Sequence, residues 1–139
     1  MTENTAPAPA GGFAKPTVRN ALMTWLVPML LFAAAPPLGN FLGQTAFRFA
    51  PTAAILAGTL LALAHIRKMV GELNAVTGNP FVWWHCAIPF YGIYWAAVLL
   101  PAEVADAKQK AGKGARRGVV VYLFVPLYAL AAELNDIAR

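Results

Sequence analysis

The chain has 139 residues, enough for one domain, of which 59% are hydrophobic and 12% charged, with a net charge of +5. Soluble domains average about 45–50% apolar and about 25% charged residues, so this composition excludes a globule that must cover its apolar surface with polar groups. A single cysteine, Cys86, excludes a disulfide framework.

Residues 1–19, opening MTENTAPAPAGGFAKP, hold few large side chains and predict a disordered tail. Residues 20–139 are expected to form a single helical membrane domain. Its first helix is predicted over about 21–35, ALMTWLVPMLLFAAA. Lys15, Arg19 and Ala33-x-Ala35 give this run the outline of a signal peptide. Pro36 directly after the site obstructs cleavage, so the segment reads as a retained membrane helix. Pro36 and Pro37 are expected to end it, because their rings remove donors and push preceding residues out of the α region. A short interfacial passage leads to a second helix, predicted over about 51–67 with Pro51 in its first turn. Ala54, Gly58 and Ala62 recur there at every fourth position. That spacing lets helix backbones approach closely in lipid; the rival reading is simply an alanine-rich span. Gly71–Pro80 reads as a loop from its Thr-Gly-Asn-Pro turn chemistry.

Phe81–Pro101, FVWWHCAIPFYGIYWAAVLLP, carries no charge and three of the four tryptophans. About 20 apolar residues cross a ~30 Å hydrocarbon layer, and Trp83, Trp84, Tyr91, Tyr94 and Trp95 suit the headgroup level. A third helix is expected over about 81–101, kinked at Pro89 and Gly92. Glu103–Gly118 reads as an exposed basic connector, and a last helix is expected over about 118–137, bent at Pro126. The fold class is therefore all-α: a polytopic helical membrane protein with about four transmembrane helices. Charge counting keeps a second topology open. Four crossings put five cations on one side and six on the other, which gives no orientation. A re-entrant third helix, turning back at its kink, puts nine against two, and the positive-inside rule prefers it.

Five of the eleven Lys and Arg lie between Lys108 and Arg117, so the basic character is a local patch. No aromatics are interleaved with it, which argues against nucleic acid. Lys108, Lys110, Lys113, Arg116 and Arg117 are candidates for contact with anionic lipid or an acidic partner, with topology determination as the plain alternative. His65 and His85 end one helix and open the next. Facing each other across a hairpin they would hold a haem iron; capping their helices they would hold none. Cys86 beside His85 does not form a thiol–imidazole pair, since adjacent helical residues point about 100° apart. Glu72, Glu103 and Glu133 sit at helix ends and read as solvated carboxylates. They also head a short echo, Glu-Leu-Asn-Ala-Val, Glu-Val-Ala-Asp-Ala and Glu-Leu-Asn-Asp-Ile, at spacings of 31 and 30 residues. Repeated hairpin units would produce it, and so would chance. No phosphate loop, paired-histidine helix, Cys-x-x-Cys or Ser/His/Asp set is present, so neither a catalytic nor a metal site is expected.

Tyr91-Gly92-Ile93-Tyr94-Trp95 and Glu133-Leu134-Asn135 resemble the motifs of an uncharacterised family of small bacterial multi-helix membrane proteins, with a Gly-Ile-Tyr helix, a nearby Tyr-Trp and a Glu-Leu-Asn helix end. The likeness covers roughly residues 80–137. It implies a helical membrane module and supplies no activity; the expected location is the bacterial inner membrane. The expected function is a non-enzymatic accessory or assembly subunit of a larger membrane complex. It would pack through Ala54, Gly58, Ala62, Trp83, Trp84, Tyr94 and Trp95, with the 108–117 loop in the cytoplasm. The rivals are a haem- or ion-handling subunit and a homo-oligomeric channel or sensor.

Overall fold

The structure, a computed structural model, describes residues 15–41 and 43–139. The reading of residues 1–14 as disordered falls outside it. All regular structure among the described residues is helical.

Asn20 caps the first helix, α1 (Ala21–Phe41). Its side-chain oxygen accepts the Met23 N–H at 3.1 Å, which satisfies an otherwise orphaned donor of the first turn. The helix does not stop at Pro36 and Pro37 but runs six residues beyond the expected Ala35. Proline's fixed φ is compatible with a helix, and in apolar helix pairs the lost hydrogen bonds are tolerated. The second helix, α2 (Gly43–Thr77), is far longer than the expected 51–67 and absorbs Pro51, Gly71 and most of the predicted loop. The cause is packing. Met69, Val70, Leu73 and Val76 recur at helical spacing and are all buried, which outweighs the weak helix preference of Gly71. Gly78, at φ 74°, ends α2 by donating its N–H to Asn74 O at 2.8 Å, a left-handed stop that glycine takes without strain.

α1 and α2 form a closely packed hairpin. A Cβ on Gly58 would lie 3.3 Å from both Leu31 Cβ and the Pro28 carbonyl oxygen, so the small-residue spacing serves a contact within the chain. Gly58→Leu should destabilise the protein by about 1–3 kcal/mol through overpacking. Gly71→Ala, with open space around its Cβ, should stabilise by about 0.5–1 kcal/mol; thermal unfolding in mild detergent measures both.

The expected third helix over 81–101 is not continuous. Phe81 leads into a 3₁₀ turn, Trp83–Ala87, and the chain then reverses at Ile88–Phe90. It returns as one helical arm: α3 (Tyr91–Tyr94), a π-helical segment (Trp95–Leu99) and α4 (Leu100–Lys110). The reversal is built from short bonds, Tyr91 N to Pro89 O at 2.7 Å and Gly92 N to Ile88 O at 2.7 Å, with Phe90 at φ 61°. Two contacts prove that the arms lie side by side. Trp95 Nε1 donates to Val82 O at 3.0 Å, and the Trp95 ring stacks on Phe81 at 5.5 Å. α4 ends in a six-to-one turn, Lys113 N to Lys108 O at 2.8 Å, around Gly112 at φ 66°.

The expected last helix is also two pieces, α5 (Val119–Phe124) and α6 (Pro126–Ala138). Val125 separates them at φ −137°, ψ 60°, because the residue before a proline is driven out of the helical region. Arg117 returns to within 2.6 Å of Glu133, so this segment too is a bent hairpin. Between its bend, the first reversal and Ile66 of α2 lies an apolar cavity of about 410 Å³. The compact core joins α2, the helical arm and α6, with Leu73, Val104, Leu130 and Leu134 at its centre. Among the described residues one helix, Phe49–Thr77, is long and apolar enough to cross a membrane, and only 6% of its apolar window is buried.

Candidate functional site

The polar end of the bundle is assembled by the Glu-Leu-Asn echo, and each part has one task. Leu73, Val104 and Leu134 stand one position after Glu72, Glu103 and Glu133, and all three are buried in the core. Each asparagine grips another segment by its backbone. Asn74 Nδ2 donates to Phe81 O at 2.9 Å while its Oδ1 accepts the Phe81 N–H at 3.2 Å. Asn135 does the same to Arg19, donating at 2.5 Å and accepting at 2.8 Å. Phe81 opens the first short hairpin and Arg19 precedes α1, so the two amides place two segments on the same end. The carboxylates complete the joint: Glu72 pairs with the Arg19 guanidinium and takes the Thr17 N–H, and Glu103 accepts from Asn79 at 2.9 Å. Residues 17–19, expected in the disordered tail, are thereby held.

Glu133 departs most from the expected solvated carboxylate. Its side chain is 0% exposed and accepts from Lys108 Nζ at 2.8 Å and from the Arg117 backbone N–H at 2.6 Å, with Arg117 Nη1 at 3.6 Å. Lys108 is itself buried and also reaches Asp136 at 2.8 Å and the Ala115 carbonyl at 3.1 Å. One buried carboxylate thus ties α4, the 111–118 connector and α6 together. A buried charge is tolerated only when paired and hydrogen-bonded in this way. The Tyr122 hydroxyl is buried with no hydrogen-bond partner among the described residues.

Burial alone would lower the Lys108 pKa, but hydrogen bonds and charge from Asp136 and Glu133 outweigh it and hold the ammonium above the ordinary lysine value. The Lys108 hydrogen bond, against a smaller effect of burial, holds Asp136 below the usual carboxylate value. A depressed carboxyl contributes stability above its unfolded pKa that is lost as pH falls through the folded one. A raised lysine contributes stability below its unfolded pKa that is lost as pH rises through the folded one. Asp136→Asn should therefore flatten the acid limb of the stability curve below about pH 4. The alkaline limb should persist, because Glu133 still holds Lys108; melting in detergent across pH reads both limbs.

The remaining expected site residues fall into distinct places. Trp84 and Tyr94 are exposed and Trp83 is half-buried, whereas Trp95 is 1% exposed and belongs to the core, not to a lipid or partner face. Gly58 is covered by α1, and Ala62 packs against the core. In the basic patch Lys108 and Arg117 are engaged by Glu133, and Lys110 pairs with Asp106 at 2.9 Å and donates to Thr77 O at 2.5 Å. Three of the five therefore hold the fold together. Among the described residues Lys113 and Arg116 have no carboxylate within ion-pair distance, and Arg116 joins Arg139 along an open groove of about 430 Å³.

His65 and His85 each make contacts of their own. His65 Nδ1 lies 3.0 Å from Leu61 O in a groove shared with Arg19 and Lys68, while the His85 ring contacts Trp84 and Tyr91. Among the described residues no group of three His, Cys, Asp or Glu side chains is placed to hold a metal ion. Sequence reasoning missed Glu133 as a buried centre, although the echo contained the signal. No family model, no curated protein and no solved structure matches the chain.

Proposed function

We propose that this protein is a non-enzymatic subunit of a larger membrane complex, a multi-pass protein of the bacterial inner membrane with its cationic end in the cytoplasm. In this reading α1 and α2 cross the bilayer, and the 81–101 and 119–126 segments turn back on the side of the cationic end. The observation that carries it is the apolar surface left uncovered on the α1–α2 hairpin. Leu22, Val27 and Leu30 of α1 and Ile55, Leu56 and Leu60 of α2 are all exposed, on a helix pair of which α2 is long and apolar enough to cross a membrane. Unusually large exposed apolar surfaces mark contact with lipid or with another protein.

Charge supports the orientation. Positions 48 and 67 of α2 stand about 28 Å apart at the helical rise, close to the ~30 Å hydrocarbon thickness. Arg48 is then the single cation at the far end, and the other ten of the eleven lie at the polar end. Lys113, Arg116 and Arg139 are positioned for anionic lipid headgroups, which attract basic groups at the cytoplasmic face.

Extraction in a mild detergent, with size analysis and mass spectrometry of co-migrating proteins, tests the role. A larger partner at fixed stoichiometry is the expected result. Recovery alone, or only with copies of itself, would overturn the subunit reading and favour a self-assembled channel or sensor.

A further inference from the structure

We infer that the groove between α1 and α2, at their cationic end, is a binding site for one anionic phospholipid of the leaflet on that side. The inference rests on the crossing of α1 and α2 proposed above and adds to it a site and a ligand class. Register builds the groove. Gly58 meets Pro28 and Leu31 across the antiparallel pair. About ten residues further out along both segments, the same register sets Lys68 beside Arg19. The pair opens there into a groove of about 320 Å³, lined by Thr24, Leu61, Ala64 and His65 together with Arg19 and Lys68.

Depth and polarity run together along this groove. With the hydrocarbon ending at Arg67, Lys68 stands about 1.5 Å outside it at the helical rise. Ala64 and Leu61 stand about 4.5 Å and about 9 Å inside. Acyl chains end at that level and a headgroup layer of about 5–7 Å begins, so the apolar wall meets chains and the cations meet a phosphate. Other polar groups of the wall are already engaged: Thr24 Oγ1 donates to Asn20 O at 2.9 Å, and His65 Nδ1 to Leu61 O at 3.0 Å. Arg19 is held by Glu72, and a guanidinium with five donors keeps some for a second acceptor. Lys68 is exposed and, among the described residues, has no carboxylate within ion-pair distance. Negative charge is what the groove lacks. Basic pockets between membrane helices on the cytoplasmic side suit anionic headgroups for this reason. A zwitterionic headgroup brings its own ammonium, which meets Lys68 as a like charge.

The test titrates the full chain, in mild detergent, with phosphatidylglycerol or phosphatidylethanolamine and reads bound lipid by native mass spectrometry. One retained phosphatidylglycerol per protein, and little phosphatidylethanolamine, is the expected result; equal retention of the two overturns the site. Two variants separate a site from diffuse attraction. Lys68→Ala removes a charge and should weaken retention about fivefold. Ala64→Phe, at an exposed position, fills the groove without altering charge and should weaken retention at least as much. Loss in only one of these variants, or in neither, overturns the site. Displacement by a large excess of inorganic phosphate would overturn a lipid as the occupant. In a Cys86→Ala background in vesicles, a membrane-impermeant thiol reagent should label Ala75→Cys and spare Leu56→Cys, both exposed on the protein. Labelling of both would overturn the crossing of α2 itself, so the two failures are distinguishable.

Discussion

Glu133→Ala should cost the fold about 3–5 kcal/mol, because it strands the buried Lys108 ammonium without its main partner. Lys108 is buried and Glu133 wholly so, and the carboxylate also satisfies the Arg117 backbone N–H. Lys110→Ala is the contrast. Its pair with Asp106 is 43% and 38% exposed, and exposed pairs contribute about 0–1 kcal/mol. The double variant Lys108→Met with Glu133→Leu should recover much of the loss, since removing both charges leaves neither uncompensated. Unfolding in mild detergent, followed by circular dichroism, checks the series. A Glu133→Ala loss no larger than that of Lys110→Ala would show that the buried joint does not hold the bundle.

Gly92→Ala is expected to be nearly as damaging, for a steric reason. A Cβ at this position would stand 2.4 Å from the Cys86 carbonyl oxygen and 3.2 Å from its carbon. Both are backbone atoms in the opposing arm of the tight reversal, so neither can rotate away. The arms must separate, and the Trp95 stacking on Phe81 and the bond to Val82 O open with them. A cost of about 3 kcal/mol, the upper end for overpacking, is expected. A changed tryptophan emission should accompany it, because Trp95 leaves the core. Gly114→Ala meets nothing within 4 Å and should be neutral or slightly stabilising. If the two variants melt together, the reversal is looser than its geometry states.

The helical class was legible in the apolar runs, and the turn at Pro89–Gly92 in its residue types. Whether Phe81–Pro101 crosses or returns was not legible locally. Its length permits a crossing, and only the distribution of cations across the whole chain favoured a return. The α2 end was misread because Gly71 and the Thr-Gly-Asn-Pro turn speak locally. The buried stripe of Met69, Val70, Leu73 and Val76 depends on α4 and α6, which lie far along the chain. The buried Lys108–Glu133 pair was hidden for a related reason. Lys108 looks like one of five similar cations, and nothing in its immediate neighbours marks it as the one that turns inward. The echo held part of the answer, since Glu133-Leu134-Asn135 repeats a pattern whose first copy pins Phe81.

The grip of Asn135 on Arg19 has a consequence for how the molecule is made. The two residues are 116 positions apart, so the latch on the first helix is made long after that helix has left the ribosome. Until then Arg19 has only Glu72, and the α1–α2 hairpin can enter the membrane without its polar end being closed. A nascent chain halted before Asn135 carries an open end, with the Arg19 N–H and C=O lacking the partner that Asn135 supplies.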